Sequence, residues 1–128
     1  MVLYYVYQQQ EPTMKVFVYY NLHRRVFSVK ALEGPNRGRV IAHRSEVSLT
    51  DVVFRVSEAG RQRVLIERCK NVHAGVSGQW TDVVEPLQGQ AVTYNPYLYD
   101  SFVNRETLEP VRTASQAFLK DRSITAVI

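Results

Sequence analysis

The side chains richest in chemistry fall in one stretch, RQRVLIERCKNVHAG, residues 61–75. It sets Arg61, Arg63, Arg68 and Lys70 close together and then reaches His73. Imidazole titrates near neutrality. His73 and His43 are therefore the candidate acid and base of a metal-free phosphodiester cleavage, with an arginine or lysine to stabilise the developing charge. The competing reading leaves both histidines on polar strand surfaces with no catalytic part. His23, His43 and His73 lie too far apart in the chain for ligand spacing, so neither a metal nor a cofactor is expected. Cys69, between Arg68 and Lys70, sits where a thiolate is favoured. A lone cysteine near a helix end is more often a packing residue.

A second chemistry is anion binding. GPNRGR, residues 34–39, combines two glycines with Arg37 and Arg39, so backbone N–H groups and guanidinium forks could cradle a phosphate. A hairpin turn with solvated arginines explains the same residues. In YNPYLYDSF, residues 94–102, Tyr94, Tyr97, Tyr99 and Phe102 surround Asn95 and Pro96. Aromatic faces beside cations are how proteins stack bases and hold phosphates together. The alternative is that these rings fill the base of a sheet. P-loop, dinucleotide-binding, nucleophile-elbow and zinc-protease patterns do not occur in the chain.

Charge is segregated. Residues 15–44 carry Lys15, Arg24, Arg25, Lys30, Arg37, Arg39 and Arg44 against Glu33, whereas residues 71–104 carry Asp82, Glu85 and Asp100 and no lysine or arginine. The net charge of +4 and this asymmetry point to a nucleic acid, a nucleotide or an acidic protein as partner.

These residues need elements to position them. At 128 residues the chain fits one domain with a core of its own. Val, Tyr and Phe favour a pleated, half-buried surface. KVFVYY (15–20) and RVFSVKAL (25–32) read as a hairpin, EGPNRGR (33–39) as a turn and VIAH (40–43) as a third strand. In EVSLTDVVFRVS (46–57), Val47 and Leu49 alternate with polar residues. The pattern breaks between Thr50 and Asp51, then resumes with Val52, Phe54 and Val56. A helix is expected near residues 57–69, with Ser57 as N-cap and Glu58 in the first turn, although Gly60 weakens it. NVHAGVSG (71–78) alternates again, placing Val72, Ala74 and Val76 on one face and His73 and Ser77 on the polar face. Residues 85–90 read as a loop, with strands near 91–94, 101–104, 112–119 and 124–128. Residues 1–13, with QQQ and Pro12, read as an arm or edge strand. The expected fold is α+β: one β-rich domain over residues 14–128, mostly antiparallel sheet with one short helix.

The single cysteine fits a reducing compartment, and no apolar run reaches the roughly 18–20 residues a membrane span requires. The N-terminus lacks a signal-peptide pattern, so the expected location is the cytoplasm, with no membrane partner. The arm offers an edge through which a homo-oligomer could form.

Across HRSEVSLTDVVFRVSEAGRQRVL, KNVHAGVSG and VTYNPYLYDSFV the chain resembles small accessory proteins encoded by tailed bacteriophages. The resemblance extends over residues 14–118 and carries no catalytic residue with it. It implies a bacterial host cytoplasm and a role in binding nucleic acid or in engaging a host or defence protein. Three functions thus stand as expectations. The first is a binding module for nucleic acid or a nucleotide using Arg37, Arg39, Arg61, Arg63, Arg68, Lys70, His73, Tyr94, Tyr97 and Tyr99. The others are an inhibitor docking on a host protein and a nuclease using His73 and His43.

Overall fold

A computed structural model describes residues 13–68, 72–86 and 88–128. The strands are β1 (Met14–Asn21), β2 (Val26–Ala31), β3 (Val40–Arg44), β4 (Glu46–Val56), β5 (Ala74–Thr81), β6 (Gln90–Thr93), β7 (Val103–Asn104), β8 (Thr113–Lys120) and β9 (Ser123–Val127), with one helix, α1 (Glu58–Glu67), between β4 and β5. Every named pairing is antiparallel, and the sheet order is β3-β2-β1-β5-β4-β8-β9-β6-β7. The expected β-rich domain with one short helix is what forms. The arm read over residues 1–13 lies, except for Thr13, outside the described residues, as do Cys69 and Lys70.

This order cannot be flat. Only Ser45 separates the end of β3 from the start of β4, yet β2, β1 and β5 stand between them in the sheet. Neighbouring strands lie about 4.8 Å apart, so a flat sheet would hold β3 and β4 about 19 Å from each other. Two virtual bonds across one residue reach only about 7 Å. The first five strands must therefore roll until β3 meets the start of β4. Cross-sheet contacts agree: the Arg44 guanidinium lies 5.6 Å from the Trp80 ring centre, and that of Arg122, beyond β8, lies 5.0 Å from Tyr20. Inside the roll Val16, Val18, Val29, Val47, Leu49 and Val76 are at most 1% exposed. Phe54, Val92, Phe102, Val111 and Ala126 continue the same core under the remaining strands.

The break in β4 is a bulge. The register with β5 shifts between Thr50 and Val53, and Asp51 takes a left-handed φ of 51°. One extra residue switches the inward phase from Val47 and Leu49 to Val52 and Phe54, all buried.

Two details of the β5 region correct the alternation reading. The strand begins at Ala74 rather than Asn71, so Val72 precedes it and is exposed, and His73 stands just before it. Ser77 is on the outer face as expected, yet it is buried, because Arg55 Nε donates to its hydroxyl at 2.8 Å. An outward strand position is not solvent-exposed when a long side chain from the next strand lies over it.

Candidate functional site

The helix carries the first set of cations. Ser57 caps it, its Oγ accepting from Gly60 N at 3.2 Å, while Ser57 N donates to the His73 carbonyl at 2.7 Å. Gly60 is buried against His73, and a Cβ there would lie 2.5 Å from the His73 Cβ. The glycine that weakens the helix in propensity is what lets the helix sit on the chain leading into β5. Arg68 ends the helix in a left-handed conformation, its N–H bonded to the Val64 carbonyl at 3.0 Å.

From there the arrangement reaches the tyrosine loop. His73 Nε2 and the Tyr94 hydroxyl are 2.7 Å apart. Tyr94 stacks on Phe102 at 5.1 Å, and Phe102 meets Phe54 at 5.3 Å. Arg61 Nε donates to the Pro96 carbonyl at 3.0 Å, and its other arm pairs with Glu58 at 3.2 Å. Arg61, His73 and the 94–102 loop are thus brought into one place. Burial pushes the Tyr94 phenol up to about 12; the nearby Arg61 guanidinium works against this rise, and Glu58 and Asp100 add to it. The phenol keeps its proton at neutral pH and donates to Nε2 when the imidazole is protonated at Nδ1. These contacts act as a clasp between helix, strand and loop.

The remaining candidates are dispersed. Arg63 and Arg68 are exposed on and after the helix; Arg37 and Arg39 are exposed in the turn between β2 and β3. Tyr97 is exposed and Tyr99 half-buried in a loop closed by Leu98 and Tyr99 N–H bonds to the Asn95 carbonyl. His43 belongs to another network. Asn21 Nδ2 donates to Ser28 Oγ at 3.1 Å, and Ser28 Oγ lies 3.1 Å from His43 Nδ1. Ser28 is fully buried, which denies it the part of a nucleophile. His43, on β3, and His73, just before β5, thus have separate partners. No group of three His, Cys, Asp or Glu side chains among the described residues could hold a metal.

A surface that sequence reasoning passed over lies outside the roll on β1, β2 and β5. Registered residues share a face, so Lys30, Phe17 and Ser77 form one row and His43, Ser28 and Tyr19 the next. Lys15 is registered with Gln79. Phe17 and Tyr19 are half-buried with ring centres 6.2 Å apart. A Cβ on Gly75 would strike the Phe17 ring, so the ring rests over the glycine. Both faces of KVFVYY are apolar, so alternation could not say whether Val16 and Val18 or Phe17 and Tyr19 face the core. The readable signal was the glycine in β5.

The turn at residues 21–25 completes this end. Asn21 Oδ1 accepts from His23 N and Arg24 N, and Asn21 O from Arg25 N, presenting three exposed basic side chains at the tip. On another flank, an open groove of about 960 Å³ runs along Arg44, Trp80, Asp82, Val83 and Val84. It mixes both charges.

No solved structure matches the chain, and no helix among the described residues is long and apolar enough to cross a membrane. The gene 82 protein of Mycobacterium phage L5 is 39% identical over 120 residues, an alignment covering 88% of this chain and 95% of that protein. The family model described as Mycobacterium phage L5 gene 82 protein matches residues 9–127. The resemblance to tailed-phage proteins seen in three stretches therefore extends over nearly the whole sequence, and the chain belongs to the Mycobacterium phage L5 gene 82 protein family.

Proposed function

We propose that this protein binds nucleic acid through the outer face and turns of β1, β2 and β3. One observation carries the reading: the cations of residues 15–44 all belong to three adjacent strands at one end of the sheet and to the turns joining them. On the outer face of those strands Lys15 and Lys30 flank Phe17, and the Glu33 carboxylate accepts from Lys15 N at 3.1 Å; Arg44, registered with the buried Phe27, lies over Trp80 instead. Arg24 and Arg25 occupy one end of the hairpin and Arg37 and Arg39 the other. An eight-residue strand is about 27 Å long at 3.4 Å per residue, so the cations span the reach of several phosphates. That extension favours a polymer over a mononucleotide. Arg61 is committed to Glu58 and Pro96, which leaves it a structural part. Arg63 and Arg68, exposed on the helix, are a second basic patch.

The test is fluorescence anisotropy with labelled DNA and RNA as salt is raised. Affinity should fall linearly on a log–log plot, because binding to phosphates releases condensed counterions. Replacing Arg24, Arg25, Arg37 and Arg39 by Gln should weaken binding to every sequence alike and flatten the salt slope. Absence of binding at low salt ends this reading.

A further inference from the structure

Resting on the nucleic-acid reading, we infer that the ligand is a single strand, with bases stacked on Phe17 and Tyr19 and phosphates held by Lys15, Lys30 and Arg55. The two rings stand on the outer face of β1, 6.2 Å apart and inclined by 38°. Their neighbours are small. Ser28 is registered with Tyr19, Ser77 with Phe17, and Gly75 lies beneath the Phe17 ring. Ser28 and Ser77 are almost fully buried, so neither rises to cover an aromatic face. Both rings are half-buried, so each keeps part of its surface open to solvent.

The charges around the rings have the matching arrangement. Lys30 is registered with Phe17 on one side. On the other, Arg55 holds Ser77 Oγ through Nε at 2.8 Å, which fixes its guanidinium beside the same row. His43 follows Ser28 in the Tyr19 row, and Lys15 lies two residues before Phe17. A duplex would leave these rings unused, because its base faces are covered by stacking within the helix. A single strand offers both unstacked bases and phosphates, and aromatic stacking accepts any base because every base has a π-face.

Three labelled probes of equal length discriminate: a single-stranded oligonucleotide, its duplex and an abasic strand of the same backbone. The wild-type protein should bind the single strand more tightly than either of the others. Phe17→Ala and Tyr19→Ala should each weaken single-strand binding by about 5- to 150-fold, with little change toward duplex, while Tyr19→Phe, which keeps the ring, should bind as wild type. If duplex and abasic strand bind as well as the single strand, the stacking site is overturned but nucleic-acid binding stands. Alanine variants that fold and bind like wild type overturn the stacking site in the same way. Binding to none of the probes ends both readings. The abasic comparison uses only the wild-type protein, so it decides even if an alanine variant fails to fold.

Discussion

His73 and Tyr94, far apart in the chain, are joined at 2.7 Å between imidazole Nε2 and the phenolic oxygen. The bond fixes the approach to β5 against the end of β6, and through the Tyr94–Phe102 stack it ties both to the core. Tyr94→Phe keeps the stack and removes the hydroxyl. A part-buried hydrogen bond of this kind contributes about 1 kcal/mol, so urea unfolding should show a loss of that order. Tyr94→Ala also removes the ring and should cost about 3 kcal/mol or more. Equal stability of Tyr94→Phe and wild type would show that the contact contributes nothing.

The same phenol makes stability depend on pH. Its pKa rises from 10.0 in the unfolded reference to about 12 in the fold. A raised pKa means that the folded state holds the proton more tightly. The contribution is therefore complete below pH about 10 and is lost as pH rises toward about 12. Wild type should lose denaturation midpoint across that window more steeply than Tyr94→Phe, which has no proton to release there. Since the ring is partly open to water, solvent screening keeps the difference small. Parallel curves for the two proteins would contradict the shift.

Gly60 presents propensity and packing in opposition. Alanine is favoured over glycine within a helix by about 1 kcal/mol, and by that measure Gly60→Ala should stabilise α1. The added Cβ would lie 2.5 Å from the Cβ of His73, and overpacking costs about 1–3 kcal/mol. Gly60→Ala should therefore lower stability in thermal unfolding and disturb the His73–Tyr94 contact, visible as altered Tyr94 fluorescence or ring shifts in NMR. A gain in stability would mean that the helix can lift away from His73 at no cost.

What could be read beforehand was local. Alternation placed the strands from β1 to β4 within a residue or so, and Ser57 and Glu58 marked the start of α1. The rolling of the sheet was hidden because it follows from which strands pair across long separations. No single window of the sequence shows that β3 must curl to meet β4. The same limit applies to the site. Periodicity separates the basic helix from the strand of His73, but it cannot show that His73 and Arg61 are brought together by Tyr94 and Pro96, in a loop distant in the chain. Phe17 and Tyr19 escaped notice because a strand apolar on both faces carries no phase.

Asp51 is where local sequence and rolled sheet meet. The bulge between Thr50 and Val53 lets one strand bury Val47 and Leu49 in its first half and Val52 and Phe54 in its second. The left-handed backbone this requires, φ 51° at Asp51, is tolerated by Asp, Asn and Gly and poorly by β-branched residues. Asp51→Gly should leave stability within about 1 kcal/mol of wild type, since relief of strain opposes greater freedom in the unfolded chain. Asp51→Val should cost about 1–3 kcal/mol. Deleting Asp51 removes the extra residue and leaves Val52 and Phe54 in the inward phase that continues from Val47 and Leu49, so β4 can pair with β5 without a shift. On the other side the register with β8 runs unbroken, Thr50 opposite Gln116 and Val52 opposite Ala114, so the deletion leaves Ser115 without a counterpart. The deletion protein should therefore keep a cooperative unfolding transition at a lowered midpoint. Loss of cooperative unfolding would mean that β4 cannot dispense with the bulge even when its inward phase is kept.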